Sequence, residues 1–171
     1  MAQIIVEICQ NHNGDRELLK RMIHTAKENG ADAVKGQIIF SNDLAPRERF
    51  DEGLEEHNGV KKTIKRPYQA EFERMKSLDL TEADYKFFVE ECNRVGVIPM
   101  LTVFSRNRIP LAASLPYKGE RTVKVASYDC GSHQMISELA EKFDHVIIST
   151  GASFDDEIKK TAKLVKSKNK K

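Results

Sequence analysis

The sequence predicts an α/β fold built around a parallel sheet, and three observations carry that reading. Five short runs rich in β-branched and apolar residues recur along the chain, at 4–8, 33–39, 98–104, 122–126 and 145–150. Each is nearly continuous in hydrophobicity rather than alternating, as strands covered on both faces are. Amphipathic helical segments separate them, which is the strand–helix alternation of parallel sheets.

Taken in order, the first run ends in Glu7-Ile8-Cys9-Gln10-Asn11-His12-Asn13-Gly14, a polar loop rich in turn-forming residues. A helix capped by Asp15 follows, with Leu18, Leu19, Met22, Ile23 and Ala26 on one side and Gly30 as its stop. After the second run, 41–67 is long, charged and punctuated by Pro46, Gly53, Gly59 and Pro67. It reads as a loop on the side where such folds bind ligands. Thr81-Glu82-Ala83-Asp84 forms a capping-box pattern with Asp in place of Glu. The helix it opens carries Tyr85, Phe88, Val89, Cys92 and Val95 and stops at Gly96. Segments 131–143 and 155–166 read as two further helices. Five strands are too few for a (β/α)8 barrel, which takes about 250 residues. Periodicity therefore leaves two architectures open: a doubly wound sheet, or the first five units of a barrel.

Composition sets the bounds. A chain of 171 residues with 40% hydrophobic and 32% charged residues is globular and long enough for a proper core. A net charge of +2 gives no argument for nucleic acid. The late lysines, from Lys159 to Lys171, read as a solvated helix face and a tail at 167–171. No stretch approaches the roughly 20 apolar residues of a membrane span, and the start lacks a signal-peptide pattern, so a cytoplasmic location is expected. Three cysteines without CxxC spacing (Cys9, Cys92, Cys130) point to a reduced chain. Cys92 falls on a core stripe, while Cys9 and Cys130 follow strands and are candidates to line a pocket. His12, His24, His57, His133 and His145 show no metal-ligand spacing.

The chemistry collects where strands end. Lys35 and Gln37, Thr102 and Ser105, Lys124, Ser127 and Asp129, and Ser149, Thr150 and Gly151 all lie at or just after the ends of successive runs. Two lysines inside apolar strands are the sharpest signal, because a buried ammonium without a partner is costly. One account is an ion pair with Glu7 or Asp129. The other is that both lysines and the neighbouring hydroxyls converge on a phosphate or carboxylate. No Walker or GxGxxG pattern is present, which argues against a nucleotide held in the usual ways.

Five blocks stand in the order and spacing of one family. They are Glu-Ile-Cys-Gln-Asn-His-Asn-Gly at 7–14, Gly-Ala-Asp-Ala-Val-Lys-Gly-Gln at 30–37, Thr-Val-Phe-Ser at 102–105, Lys-Val-Ala-Ser-Tyr-Asp at 124–129 and Ile-Ile-Ser-Thr-Gly at 147–151. Over residues 4–158 the chain resembles the sialic acid (N-acetylneuraminate) synthases. These enzymes condense phosphoenolpyruvate with an N-acetylated sugar such as N-acetylmannosamine and release phosphate. The resemblance implies a (β/α)8 TIM-type barrel, of which residues 1–166 hold about the first five β/α units. It implies a divalent metal, manganese or magnesium, with its histidine ligands on later strands and none in this chain. Lys35, Thr102, Lys124, Ser127 and Ser149 match positions that hold phosphoenolpyruvate, with Lys35 and Lys124 also acting on the leaving charge. Asn13 matches a loop position that is a catalytic glutamate in some members, and Gln37 and Asp129 match positions facing the sugar.

Three departures, Cys9 for glycine, Gly36 for an aromatic and Val103 for proline, are expected to reshape the pocket. The family's C-terminal antifreeze-like domain, which sends an arginine into the neighbouring subunit's site, is not among these residues. The expectation is an N-terminal barrel portion that associates through open edges or as a homo-oligomer and is inactive alone. A non-catalytic anion-binding half-barrel and an aldolase-type barrel with a Schiff base on Lys124 are the rival readings.

Overall fold

The computed structural model describes residues 2–46, 51, 55–57, 60–62 and 65–168. Five parallel strands, β1 (Ile5–Cys9), β2 (Ala33–Ile38), β5 (Ile98–Val103), β6 (Thr122–Val125) and β7 (His145–Ile148), lie side by side in that order. The polar segment after β2, expected as loop, contains a short antiparallel pair, β3 (Glu55–His57) and β4 (Val60–Lys62).

Strand order resolves the two architectures. A doubly wound sheet reverses direction at a switch point. Here every strand of the large sheet is added on the same side as its predecessor, which is how a barrel wall grows. The five strands form an arc of such a wall.

Each helix is fixed by local chemistry. Helix α1 (Arg16–Glu28) begins where the Asp15 carboxylate accepts from the amides of Glu17 (2.8 Å) and Leu18 (3.1 Å). Helix α2 (Tyr68–Lys76) follows Pro67 and gives little periodic signal, because among its residues only Met75 is fully buried. Helix α3 (Glu82–Val95) has the expected capping box between Thr81 and Asp84 and ends on Gly96 in the left-handed region at φ 80°. Helix α4 (Ile109–Ser114) is a single short stretch. Helices α5 (His133–Lys142) and α6 (Asp155–Ser167) complete the set, and Lys168 reaches Glu141 at 2.7 Å.

Alternation along the strands divides the sheet into two faces. Val34 and Ile38, Leu101 and Val103, and Val123 and Val125 pack with Leu19, Ile23, Phe88, Val89, Ile136 and Leu139 of the helices in one buried core. The other face carries Glu7, Lys35, Gln37, Met100, Thr102, Thr122 and Lys124 and would be the barrel interior. Register aligns it in rows: Glu7 pairs with Lys35 and Lys35 with Met100, while Gln37 pairs with Thr102, Thr102 with Lys124 and Lys124 with Ile147.

Candidate active site at the strand ends

Lys35 and Thr102 project from neighbouring strands, and the Lys35 Nζ donates to Thr102 Oγ1 at 3.3 Å. Both are buried. Lys35 also pairs with the Glu7 carboxylate, so the ion-pair account of this lysine is realised. Burial, followed by the positive charge of Lys124, pushes the Lys35 ammonium down to about 8, and the Glu7 contact opposes that shift. Lys124 is half-buried, donates to the carbonyl of Val125 at 3.4 Å and is likewise lowered by burial. Two ammonium groups close enough to feel each other, with one carboxylate against the first, are a concentration of positive charge. An anion would relieve it.

The remaining residues divide into those the fold gathers there and those it does not. Ser127 and Asp129 sit on a one-turn 3-10 helix directly after β6. A Cβ at Gly151 would touch Ser127 at 3.7 Å, so the Ser149–Gly151 loop lies against this turn. Gln37 is half-buried on the interior face, one register step from Thr102. Asn13 differs. It is exposed, has φ 50°, and closes a turn through its amide to the Gln10 carbonyl at 3.0 Å. Its side chain makes no hydrogen bond among the described residues. Beside it, Gly14 has φ 71° and a Cβ there would come within 2.9 Å of the Ser77 carbonyl, so the loop is packed tightly on the α2–α3 turn. Cys130 is fully buried, and its carbonyl accepts from Thr161 Oγ1 at 2.7 Å.

Past the ends of β2 and β5 lies a cavity of about 440 Å³, which patterns alone did not reveal. Its walls include Phe40, Tyr68, Phe104 and Tyr128, together with Ser105 and Asp129. Three of these aromatics fall one to three residues after a strand, a spacing signal available in the sequence. Phe40 is held by the Tyr85 ring at 5.5 Å and by the Arg108 guanidinium at 4.1 Å. The departures at Gly36 and Val103 do not reach this space. A Cβ at Gly36 would meet Leu101 at 3.4 Å and Phe88 at 3.7 Å, and Val103 is buried in the helix-facing core. Both change core packing rather than the pocket.

The NeuB family pattern matches residues 22–171. The chain belongs to the NeuB family. Among curated relatives of this NeuB-family chain, the N,N'-diacetyllegionaminic acid synthase of Legionella pneumophila is 31% identical over 95% of the chain and 43% of its own length. The mouse N-acetylneuraminate-9-phosphate synthase is 27% identical over 97% of the chain and 44% of its own length. The crystal structure of the sialic acid synthetase from Leptospira borgpetersenii in complex with citrate superposes with a TM-score of 0.76 at 23% identity. It is covered to 50% by 98% of this chain. A truncated 3-deoxy-D-arabino-heptulosonate 7-phosphate synthase from Thermotoga maritima shares the fold at a TM-score of 0.64 and 12% identity. The chain thus spans somewhat under half the length of the curated relatives it matches. Among the described residues no group of three or more His, Cys, Asp or Glu is placed to hold a metal ion, and no helix is long and apolar enough to cross a membrane.

Proposed function

We propose that this chain carries the phosphoenolpyruvate-binding part of a nonulosonate synthase, working in the cytoplasm as the N-terminal part of a (β/α)8 barrel. The observation that carries the reading is the convergence of Lys35 and Lys124 with the buried Thr102 hydroxyl on the interior face at the strand ends. Phosphoenolpyruvate is a polyanion, and two ammonium groups in low-dielectric surroundings would bind it and stabilise the charge that departs with phosphate. Ser127 and Ser149 would hold the remaining oxygens, and Gln37 and Asp129 would face the sugar.

In the reaction the enolpyruvate C3 forms a bond to the aldehyde carbon of the open-chain N-acetylated sugar. Water adds at C2, and the C2–O bond to phosphate breaks as inorganic phosphate leaves. Among the described residues no group of carboxylate, imidazole or thiol side chains is placed to hold a metal ion. A divalent metal enters the proposal only through ligands outside this chain, and no step is assigned to it.

The test is phosphoenolpyruvate titration against the chain and its Lys35→Ala and Lys124→Ala variants. Each variant is expected to lose a charge-assisted contact worth roughly 1.5–3 kcal/mol. Unchanged affinity in both would remove the cradle. In the rival aldolase reading Lys124, an ammonium lowered by burial, forms the imine, so borohydride trapping with pyruvate is the companion experiment. A covalent adduct would favour the aldolase reading.

A further inference from the structure

Glu7 stands opposite Lys35 in the β1–β2 register, and both oxygens of its carboxylate are engaged. Oε1 accepts from the Cys9 amide at 3.0 Å, and Oε2 meets the Lys35 ammonium. The first contact sits on an irregularity in β1. The register shifts between Glu7 and Cys9, and Cys9 takes φ 47°, in the left-handed region that side chains rarely adopt. Such bulges re-aim the side chain beside them. An ammonium has three protons to donate. At Lys35 one contact goes to Glu7 and another to Thr102 Oγ1 at 3.3 Å, so Nζ is held from both neighbouring strands. The other charged or titratable groups on this face are the Cys9 thiol on β1 and the Lys124 ammonium on β6, which interact with each other. Asp129 follows on the turn after β6, while β5 offers only the neutral Met100 and Thr102.

Resting on the anion-site reading of Lys35 and Lys124, we infer that Glu7 is a positioning residue acting through Lys35. It holds the ammonium in place and in its charged state until an anion such as phosphoenolpyruvate takes it over. Two effects of the carboxylate oppose each other. Its charge favours the protonated lysine, against burial and against Lys124. The same charge repels an incoming anion. Which effect wins depends on pH. Well below about 8 Lys35 is protonated with or without Glu7, so there the carboxylate only repels. At higher pH it decides how much of the lysine still carries a proton. Removing the charge alone should therefore tighten anion binding in acid and weaken it in base. Glu7→Gln makes that change with little else, because the amide has the same shape and its oxygen can still accept from the Cys9 amide.

The experiment titrates phosphoenolpyruvate into the 171-residue chain and its Glu7→Gln variant on both sides of the Lys35 midpoint. An opposite charge in contact moves a pKa by about 1–3 units, so its loss should lower that midpoint by about one unit or more. The variant is expected to bind about threefold tighter at about pH 6 and about threefold weaker at about pH 9, the two affinity curves crossing in between. Weaker binding at both values marks a structural role, tighter binding at both a mere competitor, and unchanged binding an idle contact. Each of these overturns the inference and leaves the synthase reading standing. A second measurement needs no ligand. NMR on chain carrying isotope-labelled lysine follows the Lys35 Cε methylene through its titration, with the signal identified by its loss in Lys35→Met. A lower midpoint in Glu7→Gln is expected, and an unmoved or raised one overturns the inference. Absence of phosphoenolpyruvate binding in the parent chain removes the synthase reading itself, and the hold of Glu7 on Lys35 is then decided by this midpoint alone.

Discussion

Lys35 must be protonated to hold an anion, and its surroundings work against that charge. With the ammonium pushed to about 8, affinity for phosphoenolpyruvate should hold below that pH and fall as pH rises through it. Calorimetry on either side of pH 8, in two buffers of different ionisation enthalpy, should register proton uptake on binding just above it. The stability effect has the opposite sign. The unfolded chain keeps this lysine protonated to about its ordinary 10.5, so between 8 and 10.5 it binds more protons than the ligand-free fold. Lys35 therefore makes the empty fold gain stability as pH rises across that window. Asn13 offers a second residue-scale test. Holding a non-glycine residue at φ 50° costs about 1–2 kcal/mol, least for Asn and most for branched side chains. Asn13→Ala should lower the melting temperature and Asn13→Gly should not. If Asn13→Gly also leaves sugar-dependent phosphate release intact in a barrel completed with a relative's later strands, the residue is a turn former and not a catalytic group.

Between elements, α1 and α3 are joined through one buried carboxylate. Glu91 takes His24 Nε2 at 2.6 Å and Arg94 through contacts at 2.6 and 2.8 Å, and these partners hold its carboxyl down at about 2. The arginine contributes first and the histidine less, while burial opposes both. Because the folded value lies below the ordinary 4.5, this stabilisation is fully present above that pH and is lost as pH falls toward 2. Glu91→Gln should flatten the acid limb of a stability–pH profile and cost roughly 1.5–3 kcal/mol at neutral pH; an unchanged acid limb would show that the pair is idle. At this scale the sequence was informative where hydrophobic runs were long. All five wall strands, and the caps at Asp15 and Thr81, were legible because apolar continuity and cap chemistry are local. Helix α2 was not, since Glu71, Glu73 and Arg74 break up its thin apolar stripe of Tyr68, Phe72 and Met75. The β3–β4 pair was hidden too, because its strands are three residues each and charged. The candidate site was partly legible for a different reason: a lysine in an apolar run stands out, while the cavity depends on loops folding over one another, which no local pattern encodes.

For the molecule as a whole, β1 and β7 end the sheet with unpaired parallel edges among the described residues, and Ile5, Ile98 and Ile147 stay exposed at 37%, 40% and 37%. Open backbone edges and apolar faces favour pairing with other chains. Light scattering on the purified 171-residue chain should show self-association, and a mixture with manganese, phosphoenolpyruvate and N-acetylmannosamine should release no phosphate. A monodisperse monomer that releases phosphate only when sugar is present would defeat both expectations. The one-directional strand order has a consequence for how the chain reaches this state. Each wall strand needs only its predecessor as a template, so the sheet can lengthen in the order in which ribosomes deliver it. One step breaks that rhythm. Joining β2 to β5 must close the span from Ile38 to Ile98, and the entropy of a loop grows with its length. Collapse should pause there, with β1, α1 and β2 waiting as an early unit until α3 brings its partner strand into reach.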